Sequence, residues 1–403
     1  MSRYLMLALL CLAAVVAYVQ RTAIAVPAKT IEAELGFGPD DMGLVMAVWF
    51  WVYAAFQVPS GWVADRLGSK PALIVFAVAW SLLTGVVGLA TGFVGLLVLW
   101  GLMGAAQAGI FPCSTKAIGA TFPPTGQAFA SGMLACSMAL GGALSPKLTG
   151  LLVAPDGPLS WQQVFALYAV PGIAWAVLFA LAAPRPDGPV PAATARRPIL
   201  WSKLVTDYQM RLLCGQQFLR ASAIAFFYTW FPRFLQESKG LSQGESGDLA
   251  SWPPLAGIGG GLVGGVLSDW LLRRTGNPRL SRQGMACAAM VVCAAVALAA
   301  YFTADARAVA LLLSVSAFFG LMGGTSGYAV AIRFGGDRVA TVFATMNMCG
   351  NIGAGLFPYT VGRLVAATGN WDLALLVFAG LFAADAVLWA LLNPKRPLFE
   401  GDD

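Results

Sequence analysis

Twelve long apolar stretches constrain this chain more than anything else in it. They run at roughly 5–33, 42–64, 71–91, 94–121, 126–154, 162–183, 210–236, 247–271, 284–303, 307–331, 339–367 and 371–392. Each reaches the about 20 apolar residues that a helix needs to cross the hydrocarbon of a bilayer. Inside lipid a backbone must satisfy its own hydrogen bonds, which leaves helices or closed barrels. A barrel would show short segments of alternating hydrophobicity. With 58% hydrophobic and only 11% charged residues, the expected class is an all-α polytopic membrane protein of twelve transmembrane helices. The first stretch begins like a signal peptide, with Arg3 ahead of an apolar run. It continues past signal-peptide length with no small-residue cleavage site, so it is read as a retained first helix.

A polar stretch divides the twelve into six and six. The expected domains are an N-terminal bundle at 1–184, a Pro-rich linker at 185–207, a C-terminal bundle at 208–396 and a short tail at 397–403. Lys and Arg crowd the loops on one side, among them Arg66, Lys70, Arg196, Arg197, Arg273, Arg274 and Arg333. The opposite loops hold little beyond Lys29, Arg233, Lys239 and Arg307. By the positive-inside rule both termini and the linker face the cytoplasm of a cell inner (plasma) membrane. The halves also echo each other. GWVADRLGSK, from Gly61, and GVLSDWLLRR, from Gly265, share Gly-x-x-x-Asp, with Asp65 and Asp269 204 residues apart. Six-helix repeats with a site at the repeat interface are the architecture of rocking transporters, with pseudo-two-fold symmetry between the bundles.

Several function classes drop out on composition. The chain has no histidine and seven cysteines without CxxC spacing, so no metal site or cofactor is expected. Without a nucleophile and base in one constellation it does not read as an enzyme. The net charge of +6 is spread over many short loops, which gives no patch for nucleic acid. The expected partners are membrane lipid and a small organic anion, for a protein acting as a monomer.

That anion is inferred from two arginines. Arg21 and Arg220 each fall near mid-span, one in the first helix of each half, with no Asp or Glu within ten residues in sequence. An arginine at the bilayer centre costs about 2.5–3.5 kcal/mol even on the lenient insertion scale. The bland account has such a residue bonding helix-end carbonyls or snorkelling to the interface, but mid-span depth argues against snorkelling. A guanidinium fork binds a carboxylate through two charge-assisted bonds, so a cargo anion is the expected partner. Lys116, Lys147 and Arg363, nearer span ends, are read as anchors. Most aromatics of the second and seventh spans read as packing. Tyr53 and Tyr228 stand out because a phenol can donate to an anion.

GWVADRLGSK resembles the loop signature of the major facilitator superfamily, matching it at Gly61, Asp65, Arg66, Gly68 and Lys70. QVPSGWVADRLG, IFPCSTKAIGATFPP, FYTWFPRFLQ and MNMCGNIGAGLFP further resemble the anion:cation symporter family, which includes bacterial sugar-acid carriers, sialin and the vesicular glutamate carriers. The resemblance spans nearly the whole chain. It implies substrate arginines at Arg21 and Arg220, cavity tyrosines at Tyr18 and Tyr53, and hydrogen-bonding asparagines at Asn347 and Asn351. It also implies conformational roles for Asp65, Arg66, Lys70, Asp269 and Arg273 in closing the cytoplasmic face.

Two departures matter. Where sugar-acid carriers of that family keep an aspartate before the first arginine, this chain has Gln20. Where the fourth helix keeps a glutamate, it has Gln107. Glutamine hydrogen-bonds but does not titrate. Both are expected to contact cargo, and proton coupling through these positions is lost. Asp385, in the last span, is read as structural and far from the cavity. The expected function is therefore a carrier of an organic anion, a carboxylate or sugar acid, working by alternating access as exchanger or uniporter; the charge count favours a dianion, or a monoanion with a helping counter-ion. The alternatives are a proton- or sodium-coupled symporter and, from another class, a membrane anion sensor.

Overall fold

A computed structural model describes residues 2–153, 157–183, 206–335 and 339–394; the side chains of residues 2, 58, 65, 124–128, 335 and 339–341 lie outside the description. The expected tail at 397–403 and all of the linker before residue 206 also fall outside the described residues.

Every described element is helical. In chain order they are α1 Ser2–Thr22, a 3-10 turn Ala23–Ala25, α2 Ala28–Leu35, α3 Pro39–Leu67, α4 Ser69–Val87, α5 Phe93–Gln107, α6 Ile110–Thr121, α7 Pro124–Val153 and α8 Trp161–Ala182. Then come α9 Tyr208–Tyr228, α10 Phe231–Lys239, α11 Gln243–Ala250, α12 Trp252–Thr275, a π-helical turn Arg279–Gly284, α13 Met285–Tyr301, α14 Ala306–Gly335, α15 Val339–Thr368 and α16 Leu373–Leu391. Each apolar stretch of the sequence falls on one helix or on consecutive helices. Among the described residues, nine spans are long and apolar enough to cross a membrane. The other three stretches fall on α3, α9–α10 and α15. Leu181, Leu89 and Val94 stand 82%, 74% and 66% exposed, as lipid-facing side chains do.

The breaks have local causes. Pro27 precedes α2, and Pro232 stands in the first turn of α10, where its missing N–H costs nothing. Gly68, between α3 and α4, has φ +86°, a region that glycine alone enters freely. This accounts for the glycine of DRLGSK. The second half repeats the device, with Gly276 at φ +62° after α12.

The described residues group into two compact units. One comprises those of Met1–Ala195, Tyr228–Gln236 and Gly240–Ser251; the other those of Arg196–Phe227, Glu237–Lys239 and Trp252–Asp403. The first unit thus takes in residues 228–236 and 240–251, which lie within the expected C-terminal bundle. The reason is a set of contacts from α10 and α11. Arg233 pairs with Glu32 at 3.1 Å, both side chains 7% exposed. Gln236 donates to the Val26 carbonyl at 3.0 Å, Gln243 to Thr30 at 2.8 Å, and Gly150 meets Gly247 so closely that a Cβ on either would strike backbone. The unit's core packs Leu10, Trp80, Trp175 and Phe179 from α1, α4 and α8.

In the second unit, α12 closes on α14 through glycines. A Cβ at Gly260 would meet the Phe318 carbonyl oxygen at 1.9 Å, and one at Gly264 the Met322 oxygen at 2.5 Å. Small residues four apart let helix backbones approach where lipid offers no hydrophobic drive. Phe226 and Phe227 of α9 pack against Phe378 of α16, with ring centroids 5.4 and 5.3 Å apart.

Candidate functional site

Arg21 stands in the last turn of α1, not near mid-span as read from the sequence, ahead of the 3-10 turn that leads to α2. Its guanidinium carbon lies 3.9 Å from the Trp49 ring, 4.4 Å from Tyr18, 5.4 Å from Phe50 and 5.9 Å from Tyr53. It makes no hydrogen bond or ion pair among the described residues. Cation–π contact with four rings holds a cation without neutralising it. Tyr53 stacks on Trp49 at 4.9 Å, and Tyr228 meets Tyr18 edge-on at 6.4 Å. Arg21, Trp49, Phe50 and Tyr228 line a small cavity of about 10 Å³, room for about one water. The three tyrosines singled out in the sequence therefore gather at Arg21. Trp49 was missed as a site residue. Its spacing of four from Tyr53 on one helix is the signal that places both on one face.

The glutamines are occupied elsewhere. Gln20 and Gln107 are each 1% exposed. Gln20 donates to the Tyr168 carbonyl at 2.6 Å, and Gln107 to the Ala17 carbonyl at 3.1 Å. They tie α1 to α8 and to α5, while Gln20 Oε1 has no hydrogen-bond partner among the described residues. A carboxylate in either place could make that bond only with a proton on it.

Arg220, on α9, is 4% exposed. Its Nη2 donates to Gln217 Oε1 at 2.5 Å, and its guanidinium lies 6.0 Å from the Tyr328 ring. Gly324 of α14 leaves it room: a Cβ there would come within 2.7 Å of Nη1. Among the described residues no ion pair joins Arg220 to a carboxylate. Asp385 is carried by α16, the helix that packs on α9 through Phe378. It is fully buried, and neither carboxylate oxygen has a hydrogen-bond partner among the described residues. One signal was available in the sequence, since a carboxylate inside a span is functional by default. Asn351 donates to the Asn347 carbonyl at 3.0 Å on α15, and both stand half-buried in the same unit as Arg220.

The conformational residues divide. Lys70 donates to the Ala183 carbonyl at 2.7 Å, closing the end of α8 onto α4. Arg66 stacks on Trp62 at 3.9 Å. Asp269 pairs at 2.7 Å with Arg282 of the π-helical turn, while Arg273 is exposed. Asp65 sits in the last turn of α3, its side chain outside the description. Lys147 pairs with Asp248 at 3.0 Å, Lys116 donates to the Ala64 carbonyl at 2.8 Å and Arg363 to Tyr359 at 2.9 Å.

Residues 10–358 match the family model described as Major Facilitator Superfamily. A probable sulfoacetate transporter of Cupriavidus necator is 28% identical, with 100% of this chain and 96% of that protein aligned. The hexuronate transporter of Bacillus subtilis is 29% identical over 94% and 92% of the two chains. The D-galactonate transporter of Escherichia coli is 28% identical over 97% and 95%. Among solved structures, a bacterial homologue of the human lysosomal transporter Spinster superposes with a TM-score of 0.77, at 19% identity and covering 97% and 95% of the two chains. That likeness shows the fold alone.

Proposed function

The chain belongs to the Major Facilitator Superfamily, a transporter and not an enzyme, and from that premise we propose that it carries a small organic anion across the membrane by alternating access. The cargo we infer bears a carboxylate or sulfonate, as sugar acids and sulfoacetate do. The observation that carries this reading is Arg21: a guanidinium ringed by four aromatics, without a hydrogen bond or ion pair among the described residues. Its fork suits a carboxylate or sulfonate edge, and names of carriers for such anions recur among relatives that match the whole chain. Tyr18, Tyr53 and Tyr228 supply phenols beside it. Arg220, Asn347 and Asn351 are the second unit's candidates for cargo contact. The Lys and Arg bias among the loops supports an inner-membrane protein with both termini in the cytoplasm, acting as a monomer.

A melting screen of the purified protein against sugar acids, sulfoacetate, dicarboxylates, aromatic acids and inorganic anions tests this. One or more organic anions should raise the melting temperature. Arg21→Ala should abolish that shift. Arg21→Lys should weaken binding about tenfold or more, because the fork's second bond to a charged group, worth roughly 1.5–3 kcal/mol, is lost. A shift that survives unchanged in Arg21→Ala removes Arg21 from the site.

Coupling has two readings. With glutamines, which do not titrate, at Gln20 and Gln107, the carrier works as exchanger or uniporter. The fully buried Asp385 favours the second reading, proton-coupled symport.

A further inference from the structure

Arg220 is a buried cation, 4% exposed, and no ion pair joins it to a carboxylate among the described residues. Its one hydrogen-bond acceptor among those residues is the amide oxygen of Gln217, 2.5 Å from Nη2. Three residues apart on α9, the two side chains share a face of the helix. An amide bonded to a neighbour on its own helix is by itself an ordinary packing contact. Two observations lift this one above that. Helices α14 and α15 each give up a side chain to seat the pair. A Cβ at Gly324 would meet Nη1, Cζ and Nε of Arg220 at 2.7, 3.0 and 3.2 Å. A Cβ at Gly350 would meet Nε2 and Cγ of Gln217 at 2.9 and 3.0 Å. One helix backs the guanidinium and another backs the amide, so the packing of three helices sets the bond between them. The second observation is that Nε of Arg220 is buried without a hydrogen-bond partner among the described residues, a donor that is costly to leave unmade.

We propose that Gln217 is a positioning residue for the transported anion: its amide oxygen holds the Arg220 guanidinium in place without neutralising it. A charge-assisted bond to a neutral oxygen fixes the orientation of the cation, and an amide has no charge with which to cancel it. The positive charge and the Nε donor stay unspent for the anionic group of the cargo. A carboxylate of the same shape at 217 would make the bond as an ion pair, and the cargo would meet a cation already neutralised. Arg21 is fixed by a different neutral device, the faces of four rings, and it too keeps its charge. This rests on the cargo reading, in which Arg220 contacts the anion, and adds to it the residue that readies Arg220.

Melting curves of the full-length protein, taken over a range of sulfoacetate and of D-galactonate concentrations, give an apparent affinity for each variant. Gln217→Glu should melt no lower than wild type without anion, since its carboxylate pairs with a cation that is already buried. Its affinity should nevertheless fall about tenfold or more, as for the loss of a bond to a charged group. Gln217→Leu removes the acceptor and keeps the charge of Arg220. It should melt below wild type, with an affinity between those of wild type and Gln217→Glu. The two variants thus fall in opposite orders, Glu above Leu in stability and Leu above Glu in affinity. A glutamine with a merely structural role would give the same order in both. That result, or an affinity unchanged in both variants, overturns the proposal; loss of the anion shift in Arg220→Gln would then still uphold cargo contact at Arg220. If Gln217→Glu does not fold, Gln217→Leu decides alone, and an unchanged affinity overturns the proposal. A shift that survives intact in Arg220→Gln removes Arg220 from the cargo and overturns the proposal with it. A wild type that neither anion shifts, nor any other anion of the melting screen, fails the cargo reading and this inference together.

Discussion

At the scale of single residues, the two arginines solve the same problem differently. Arg21 is held by the faces of Trp49, Tyr18, Phe50 and Tyr53, which attract a cation yet leave its hydrogen-bonding edge uncommitted. Arg220 has the Gln217 amide for a partner and the Tyr328 ring nearby. Gly324 is the residue that lets the second arrangement exist. In Gly324→Ala the new methyl would press on Nη1 and Cζ of Arg220, at 2.7 and 3.0 Å. These atoms end a flexible side chain, so the guanidinium yields and the fold does not. Stability should stay within about 1 kcal/mol of wild type, below the usual cost of overpacking, as a melting curve reads.

At the scale of helices, close approach at glycine sets where the site's side chains point. Gly104 of α5 lies under the backbone of Trp49, where a Cβ would meet the carbonyl oxygen at 2.6 Å. Backbone cannot swing aside as a side chain can. Gly104→Ala should therefore push α3 from α5 and carry Trp49 and Tyr53 with it. Overpacking of this kind costs typically about 1–3 kcal/mol. It should also weaken the Arg21-dependent melting shift several-fold. Gly260→Ala is the control. Its Cβ strikes the Phe318 carbonyl between α12 and α14, so stability should fall by a similar amount with the Arg21-dependent shift intact. Equal loss of binding in both variants would mean that Trp49 has no special place at the site.

At the scale of the whole molecule, the fold and family make this a multi-pass membrane transporter. Transport is also what separates the proposed function from an anion sensor, which would bind without carrying. Protein reconstituted into liposomes preloaded with the unlabelled anion from the melting screen should accumulate the labelled anion by counterflow. Arg21→Ala should not. Binding with no counterflow in wild type would favour the sensor. Asp385→Asn should keep counterflow but lose accumulation driven by an imposed pH gradient, since a neutral amide supplies no proton.

Much of this was legible in the sequence for a simple reason: lipid is an unforgiving solvent. Long apolar stretches had to be helices, and a charge inside a span had to be accounted for. Arg21 and Arg220 announced themselves by their burial cost alone, and the tyrosines followed from the family resemblance and their chemistry. What the chain order could not convey was partnership. Phe226 and Phe378 are 152 residues apart, and only the packing of α16 on α9 brings their rings together. In the same way only the bundle places the carbonyls of Tyr168 and Ala17 against the amides of Gln20 and Gln107. Solvent and hydrogen-bond rules act on every residue locally and so are written along the chain. The partner of a buried polar group is chosen by tertiary packing.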